Sequence, residues 1–185
     1  KPRFLSPGML WYVWQHHPET YRPGVLLREA CRLGLVGLVE TVLQRYPDLR
    51  LHYRHIRLAM VRTEGHIVCP DVVRQLLHIW ETASPDEVTP TALWKLFWCV
   101  MVNGSRLDVG MEPVWWWLWD RMYPITNLQL YNLVLVMTRT NHWAGCIWLA
   151  RRSPRGLKED MGRATWLRRV KKLQCTIPEA WLEEW

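Results

Sequence analysis

The stretch TPTALWKLFWCVMVNG, residues 89–104, decides the fold class of this chain. Thr89 followed by Pro90 begins a helix well, because a threonine side chain caps the first turn and proline is preorganised for the first helical position. Asn103 and Gly104 end it. Between these signals apolar side chains occupy two faces, one with Leu93, Leu96, Phe97 and Val100 and another with Trp94, Trp98 and Met101. A helix that is apolar nearly all round belongs in the middle of a domain.

Residues 128–138 repeat this pattern, and nothing in the chain shows the alternation of a strand followed by a turn. We therefore predict an all-α fold: a single globular helical bundle over residues 1–185, with central helices buried on all sides. Further helices are predicted at residues 25–33, 36–46, 49–63, 70–80, 113–123 and 142–152. For residues 49–63 a strand is the alternative, and residues 82–88 are predicted to be a polar loop.

Residues 25–33 and 36–46 predict a tight helical hairpin of the ankyrin type near the N-terminus, with Gly34 ending its first helix. No second copy follows at the expected period and the turn signature of that repeat is absent, which favours a globular bundle over a solenoid. Before the hairpin, the first residues form a short apolar stretch that proline interrupts. They carry no signal-peptide pattern.

The composition is that of a folded protein, with 49% apolar and 22% charged residues. The longest apolar run, residues 93–102, is about half of what a membrane span needs. Five cysteines, odd in number and scattered, do not form a secreted disulfide framework. These features predict a protein with reduced thiols in the cytoplasm or the nucleus and no association with a membrane.

Fourteen tryptophans stand against two phenylalanines, and four of them lie in the run WWWLW at residues 115–119. Adjacent helical residues are about 100° apart, so three consecutive indoles cannot share one face. The core stripe is predicted to be Trp115, Leu118, Trp119 and Met122. Tryptophan is enriched at binding hot spots, so the predicted partner-binding residues are Trp116, Trp117, Asp120 and Arg121. The alternative is that another helix covers these rings.

Nine of the chain's 24 basic residues lie between Arg151 and Lys172, opposed by only two acidic residues. Residues 151–175 are predicted to be a linker and a basic helix at the periphery of the domain. Aromatic residues among basic ones suit single-stranded nucleic acid, and a basic cluster can also direct nuclear import. The candidates for either role are Arg163, Trp166, Arg168, Arg169, Lys171 and Lys172. The alternative is a solvated helix face.

The sequence contains only weak indications of a catalytic site or a metal-binding site. His66 and Cys69 have a usable spacing for two zinc ligands, but no Cys-x-x-Cys pair exists in the chain. Cys69 directly precedes a predicted helix, a position that makes a thiol more nucleophilic. A catalytic cysteine also needs a general base, and the sequence places none beside it. No phosphate-binding glycine loop or deaminase motif occurs. We predict neither catalysis nor a cofactor, with a structural zinc site as an alternative.

Four stretches resemble a known family: YPDLRLHY at residues 46–53, VCPDVVRQLLHIW at 68–80, LWKLFWC at 93–99 with VNG at 102–104, and WWWLWD at 115–120. They are similar to the Bet accessory proteins of foamy retroviruses, in the part that follows the segment shared with the viral transactivator. The similarity covers mainly residues 46–152.

This resemblance implies a non-enzymatic viral protein in the host cytoplasm. Such a protein binds host cytidine deaminases of the APOBEC family and keeps them out of virus particles, without directing their degradation. The alternative that the residues themselves leave open is a basic helical module that binds RNA or single-stranded nucleic acid.

Overall fold

The computed structural model describes residues 6–60, 69–103, 110–122, 124–152 and 168. Within these residues the regular structure is helical and contains no strand, which confirms the all-α prediction. The helices are α1 (Pro7–His16), α2 (Pro23–Arg32), α3 (Val36–Arg45), α4 (Tyr53–Met60), α5 (Pro70–Ala83), α6 (Pro90–Asn103), α7 (Glu112–Met122), α8 (Asn127–Arg139) and α9 (Trp143–Arg152).

Helix α6 lies at the centre of the bundle and packs against α4, α7 and α8. It begins as the sequence predicts, since the Thr89 hydroxyl accepts a hydrogen bond from the Ala92 N–H at 3.2 Å. Leu96, Phe97 and Val100 are fully buried beneath the surrounding helices. Burial of such side chains contributes about 1.5–3 kcal/mol each to the stability of the fold, so α6 anchors the core.

The predicted burial of the two apolar helices on all sides is incomplete. On α6, Trp94 and Trp98 are only half-buried and Lys95 is exposed. On α8, Leu128 is 69% exposed, whereas Leu130 and its neighbours on the inner face are buried. An apolar sequence pattern indicates which side chains of a helix can be buried. It does not indicate how many faces of that helix are covered by neighbouring helices.

The predicted hairpin near the N-terminus is present as α2 packed against α3. Gly34 has a φ of +68°, in the left-handed region that favours glycine. Its N–H donates to the Cys31 carbonyl and the N–H of Leu35 donates to that of Ala30, at 3.1 and 2.9 Å. These are the two bonds of a Schellman motif, which ends α2 and turns the chain directly into α3.

Gly34→Ala is expected to lower the free energy of unfolding by about 1–2 kcal/mol, the cost of a left-handed conformation for a residue with a Cβ. A methyl group there would also lie 3.1 Å from Cγ1 of Val72 on α5. Urea denaturation measures the change. Gly24→Ala is the matched control, because its methyl group would meet nothing within 4 Å. Equal losses for the two variants would contradict the assignment.

Helix α1 corrects the sequence analysis, in which Pro7 only interrupts an apolar stretch. Pro7 instead occupies the first turn, and the Ser6 hydroxyl caps the helix by accepting from the Met9 N–H at 3.3 Å. Leu10 and Trp14 are buried from this helix. The effect of proline depends on its position, because proline breaks a helix when it lies in the interior and is tolerated in the first turn. The prediction was wrong because it treated Pro7 as an interruption and not as the first residue of a helix.

Other boundaries differ by a few residues. Within residues 49–60, the described part of the predicted 49–63 segment, the chain forms α4 and not a strand, although the helix begins only at Tyr53. Helix α5 runs on to Ala83, and the predicted loop after it contains the 3-10 turn Pro85–Glu87. The predicted basic helix lies outside the described residues, except that Arg168 is helical and exposed.

Candidate partner-binding surface

Helix α7 carries the tryptophan block and packs against α6 and α5. Trp115, Leu118 and Met122 are buried, as the predicted core stripe requires. Trp119 from the same stripe is only half-buried, so that part of the prediction was too strong. The other side of α7 presents Trp116, which is 36% exposed, beside the half-buried Trp117.

A tryptophan-rich aromatic cluster fixes the orientation of these rings, with Trp148 of α9 at its centre. Trp148 meets the rings of Trp115, Trp116 and Trp119 in edge-to-face contacts, with centroids 5.6–5.8 Å apart. Phe97 of α6 lies 6.3 Å away. Edge-to-face pairs place the positive edge of one ring against the negative face of another. We call Phe97, Trp115, Trp116, Trp119 and Trp148 the Trp148 cluster.

Trp116 is stacked by a guanidinium group. Cζ of Arg152, in the last turn of α9, lies 3.7 Å from the Trp116 ring centroid and 5.5 Å from that of Trp148. A cation over an indole face is attracted by the ring quadrupole, by about 0.5–1 kcal/mol at exposed sites. The contact holds Trp116 in one orientation while part of its ring stays open to solvent.

Trp117 carries a second stack of the same kind. Cζ of Arg121 lies 3.9 Å from its ring centroid, one helical turn further along α7. Two hydrogen bonds, of 2.8 and 3.1 Å, join that guanidinium to both carboxylate oxygens of Glu81 on α5. The bond from Arg121 holds the pKa of Glu81 below its usual range. Glu81 of α5 thus holds the Arg121 guanidinium in place, and the guanidinium in turn holds the Trp117 ring.

Trp117 also borders an open groove of about 730 Å³ between α3 and α5. The other lining residues are Val36, Gly37, Glu40, Asp71, Arg74, Gln75, His78 and Ile79. Charges of both signs occur there, and Arg74 pairs with Asp71 at 2.6 Å. We call Trp116, Trp117, Arg121, Arg152 and this groove the Trp116–Trp117 surface.

The four residues predicted to bind a partner all lie on α7, and three belong to the Trp116–Trp117 surface. Asp120, the fourth, is exposed one turn after Trp116. Sequence reasoning missed Trp148 and Glu81, and it treated Arg152 only as part of a basic segment. No local pattern could have found them, because α5 and α9 bring them to α7 through tertiary packing.

The predicted nucleic-acid or nuclear-import residues fall almost entirely outside the described part of the chain. Arg163, Trp166, Arg169, Lys171 and Lys172 all lie there. Arg168 is described, and it is exposed. Their role stays a prediction.

Within the described ranges, no three His, Cys, Asp or Glu side chains come together in a way that could hold a metal ion. His66, one residue of the weak zinc pattern, lies outside those ranges. Cys69 is exposed at the N-cap of α5. Burial raises the pKa values of Cys31 and Cys146 to about 12, which keeps both thiols protonated at neutral pH.

The imidazole of His142 packs against the buried side of α7. Asn141, with a φ of 55°, ends α8 and turns the chain so that the His142 ring packs edge-to-face on Trp115, with centroids 5.7 Å apart. The residue is buried, and burial lowers its pKa to about 4. His142 is therefore neutral in the folded protein at physiological pH.

The free energy of unfolding is expected to fall as the pH is lowered from about 6.5 to about 4, the interval between the ordinary and the folded pKa of His142. In that window the unfolded state binds the proton and the folded state resists it, at a cost on the order of 3 kcal/mol. Partly exposed His55, whose pKa burial also lowers to about 4, adds to the same slope. Urea denaturation at several pH values measures it.

His142→Gln should flatten this pH dependence, because glutamine does not titrate. His16→Gln, at an exposed position on α1, should leave it unchanged. An unaltered slope in the His142 variant would contradict the assignment.

The fold and the aromatic cluster together define an all-α protein with a tryptophan-rich surface held by two stacked guanidinium groups. No protein-family model, no curated protein and no solved structure matches the chain. No helix in the described part of the chain combines the length and the apolar composition that crossing a membrane requires.

Proposed function

We propose that this chain is a non-enzymatic interaction protein that binds another protein through the Trp116–Trp117 surface. The observation that carries the proposal is the pair of stacks, Arg152 on Trp116 at 3.7 Å and Arg121 on Trp117 at 3.9 Å. Tryptophan and arginine are the residues most enriched among binding hot spots. Since both rings are already held in place, a partner does not have to order them on binding.

The groove beside Trp117 supports the same proposal. Its lining combines apolar side chains with charges of both signs, which suits a protein partner better than a uniformly charged polymer. A segment of the partner would lie between α3 and α5 and contact the indole at the groove's edge.

The identity of the partner rests on the resemblance to the Bet accessory proteins. We propose that the chain is a viral accessory protein that binds a host cytidine deaminase of the APOBEC family in the host cytoplasm. Binding would sequester the deaminase by blocking its RNA binding, its self-association or its packaging. The basic cluster that includes Arg168 would also allow entry into the nucleus.

Co-purification of the full chain with a panel of APOBEC-family deaminases, with and without nuclease at moderate salt, tests the partner. A deaminase that stays bound after nuclease treatment supports direct binding. Loss of every deaminase on nuclease treatment would contradict it and would favour nucleic-acid binding. Absence of binding in both conditions would remove deaminases as partners.

A further inference from the structure

A second cleft, of about 530 Å³, lies between α4 and α6 and shares no residue with the Trp116–Trp117 surface. Its lining residues are Tyr53, Arg57, Trp94, Lys95, Trp98, Cys99 and Val102. The volume falls within the range of about 300–1,000 Å³ that small organic ligands occupy in proteins. The sequence analysis placed Trp94 and Trp98 in the core and did not predict a cleft beside them.

Aromatic rings form the walls of this cleft. Trp94 and Trp98 are one helical turn apart on α6, with their rings edge-to-face and 5.8 Å between centroids. Both are half-buried, as is Tyr53 across the cleft on α4. Rings that are supported on one side and open on the other offer a flat apolar surface to another planar group.

The rim of the cleft is positively charged. Arg57 and Lys95 line the cleft and are exposed, and Lys95 Nζ lies 5.2 Å from the Tyr53 ring centroid. Arg54 is exposed beside them, with its Cζ 6.0 Å from the same centroid. Arg54 and, secondarily, Lys95 lower the pKa of the Tyr53 hydroxyl. Among the described residues, no carboxylate lines the cleft and none forms an ion pair with these three cations.

We propose that this cleft binds single-stranded nucleic acid. One or two bases would stack on Tyr53, Trp94 and Trp98, while the adjoining phosphates would lie against Arg54, Arg57 and Lys95. Sequence-tolerant recognition of single strands uses this combination of aromatic stacking and a basic groove. A duplex does not fit the same description, because its bases are already stacked on one another and cannot reach the rings.

Fluorescence anisotropy with a fluorescein-labelled oligouridylate of about 12 nucleotides tests the proposal on the full chain. Tyr53→Leu removes a stacking ring and should weaken binding at least about fivefold without changing the salt dependence. Arg57→Glu should weaken binding and also lower the slope of log K against log salt by about 0.7, the share of one phosphate contact. Arg139→Glu, exposed on α8 and outside the cleft, makes the same charge change and should have little effect.

Several results would overturn the proposal. Wild-type protein that fails to bind the oligonucleotide is one, and equal competition by duplex RNA is another. A third is that both cleft variants bind normally while reversing Arg168, Arg169, Lys171 and Lys172 to glutamate abolishes binding. A fourth is displacement by oligoglutamate together with indifference to Tyr53→Leu, which would make the occupant an acidic protein segment. Circular dichroism and thermal melting establish that each variant is folded.

Discussion

Alanine at both Trp116 and Trp117 is expected to weaken binding of the proposed deaminase partner by at least about 30-fold, since a hot-spot truncation typically costs about 2 kcal/mol or more. Both rings are held ready by guanidinium groups and therefore lose little entropy on binding. Isothermal titration with purified partner measures the change. The fold should survive, because the first ring is 36% exposed and the second is half-buried.

Tyr12→Ala is the matched control for that experiment. Tyr12 is an aromatic residue on α1 that is 57% exposed, more than either indole. Its removal should leave the affinity unchanged within about twofold, which is less than 0.5 kcal/mol. Equal losses for the two variants would mean that exposed aromatic area in general, and not the Trp116–Trp117 surface, holds the partner.

Trp148→Ala is expected to lower the free energy of unfolding by about 3–5 kcal/mol, the usual cost of truncating a buried tryptophan. Trp148 is 6% exposed and joins α9 to α6 and α7 through four aromatic rings. Its removal leaves a cavity that rigid neighbours cannot fill. Urea denaturation measures the loss, which is a large part of the stability of an ordinary domain.

Trp116→Ala provides the comparison within the same cluster. Because the Trp116 ring is partly exposed, its removal should cost only about 1–2 kcal/mol of unfolding free energy, a value typical of point substitutions. If Trp148→Ala costs no more than Trp116→Ala, Trp148 is not the centre of the cluster. The support that we assign to Trp116 from α9 would then be wrong.

The helices that the sequence predicted well are those with explicit signals at their ends. Thr89 and Pro90 begin α6, and Gly34 separates α2 from α3, so both features can be predicted from the sequence. The same knowledge was misapplied at Pro7, where the proline begins a helix. Such helix boundaries depend on residues close together in the chain, so they can be predicted from the sequence.

The site was predictable only where its contacts are local. Trp117 and Arg121 are one turn apart on the same helix, so their alignment follows from helical geometry. Trp148, Arg152 and Glu81 reach α7 from other helices, and no sequence spacing encodes those contacts. The cleft beside Trp94 and Trp98 was missed for the same reason, because the number of neighbours around a helix is decided by tertiary packing.

Hydroxyl-radical footprinting measures the solvent accessibility of individual tryptophan side chains, so it is the measurement that best tests the Trp116–Trp117 surface. It compares the free chain with its complex with any deaminase that stays bound after nuclease treatment. We expect Trp116 and Trp117 to lose reactivity in the complex, while Trp94 and Trp98 react as they do in the free protein. Unchanged reactivity at Trp116 and Trp117, with protection elsewhere, would contradict the assignment of the Trp116–Trp117 surface as the partner-binding site.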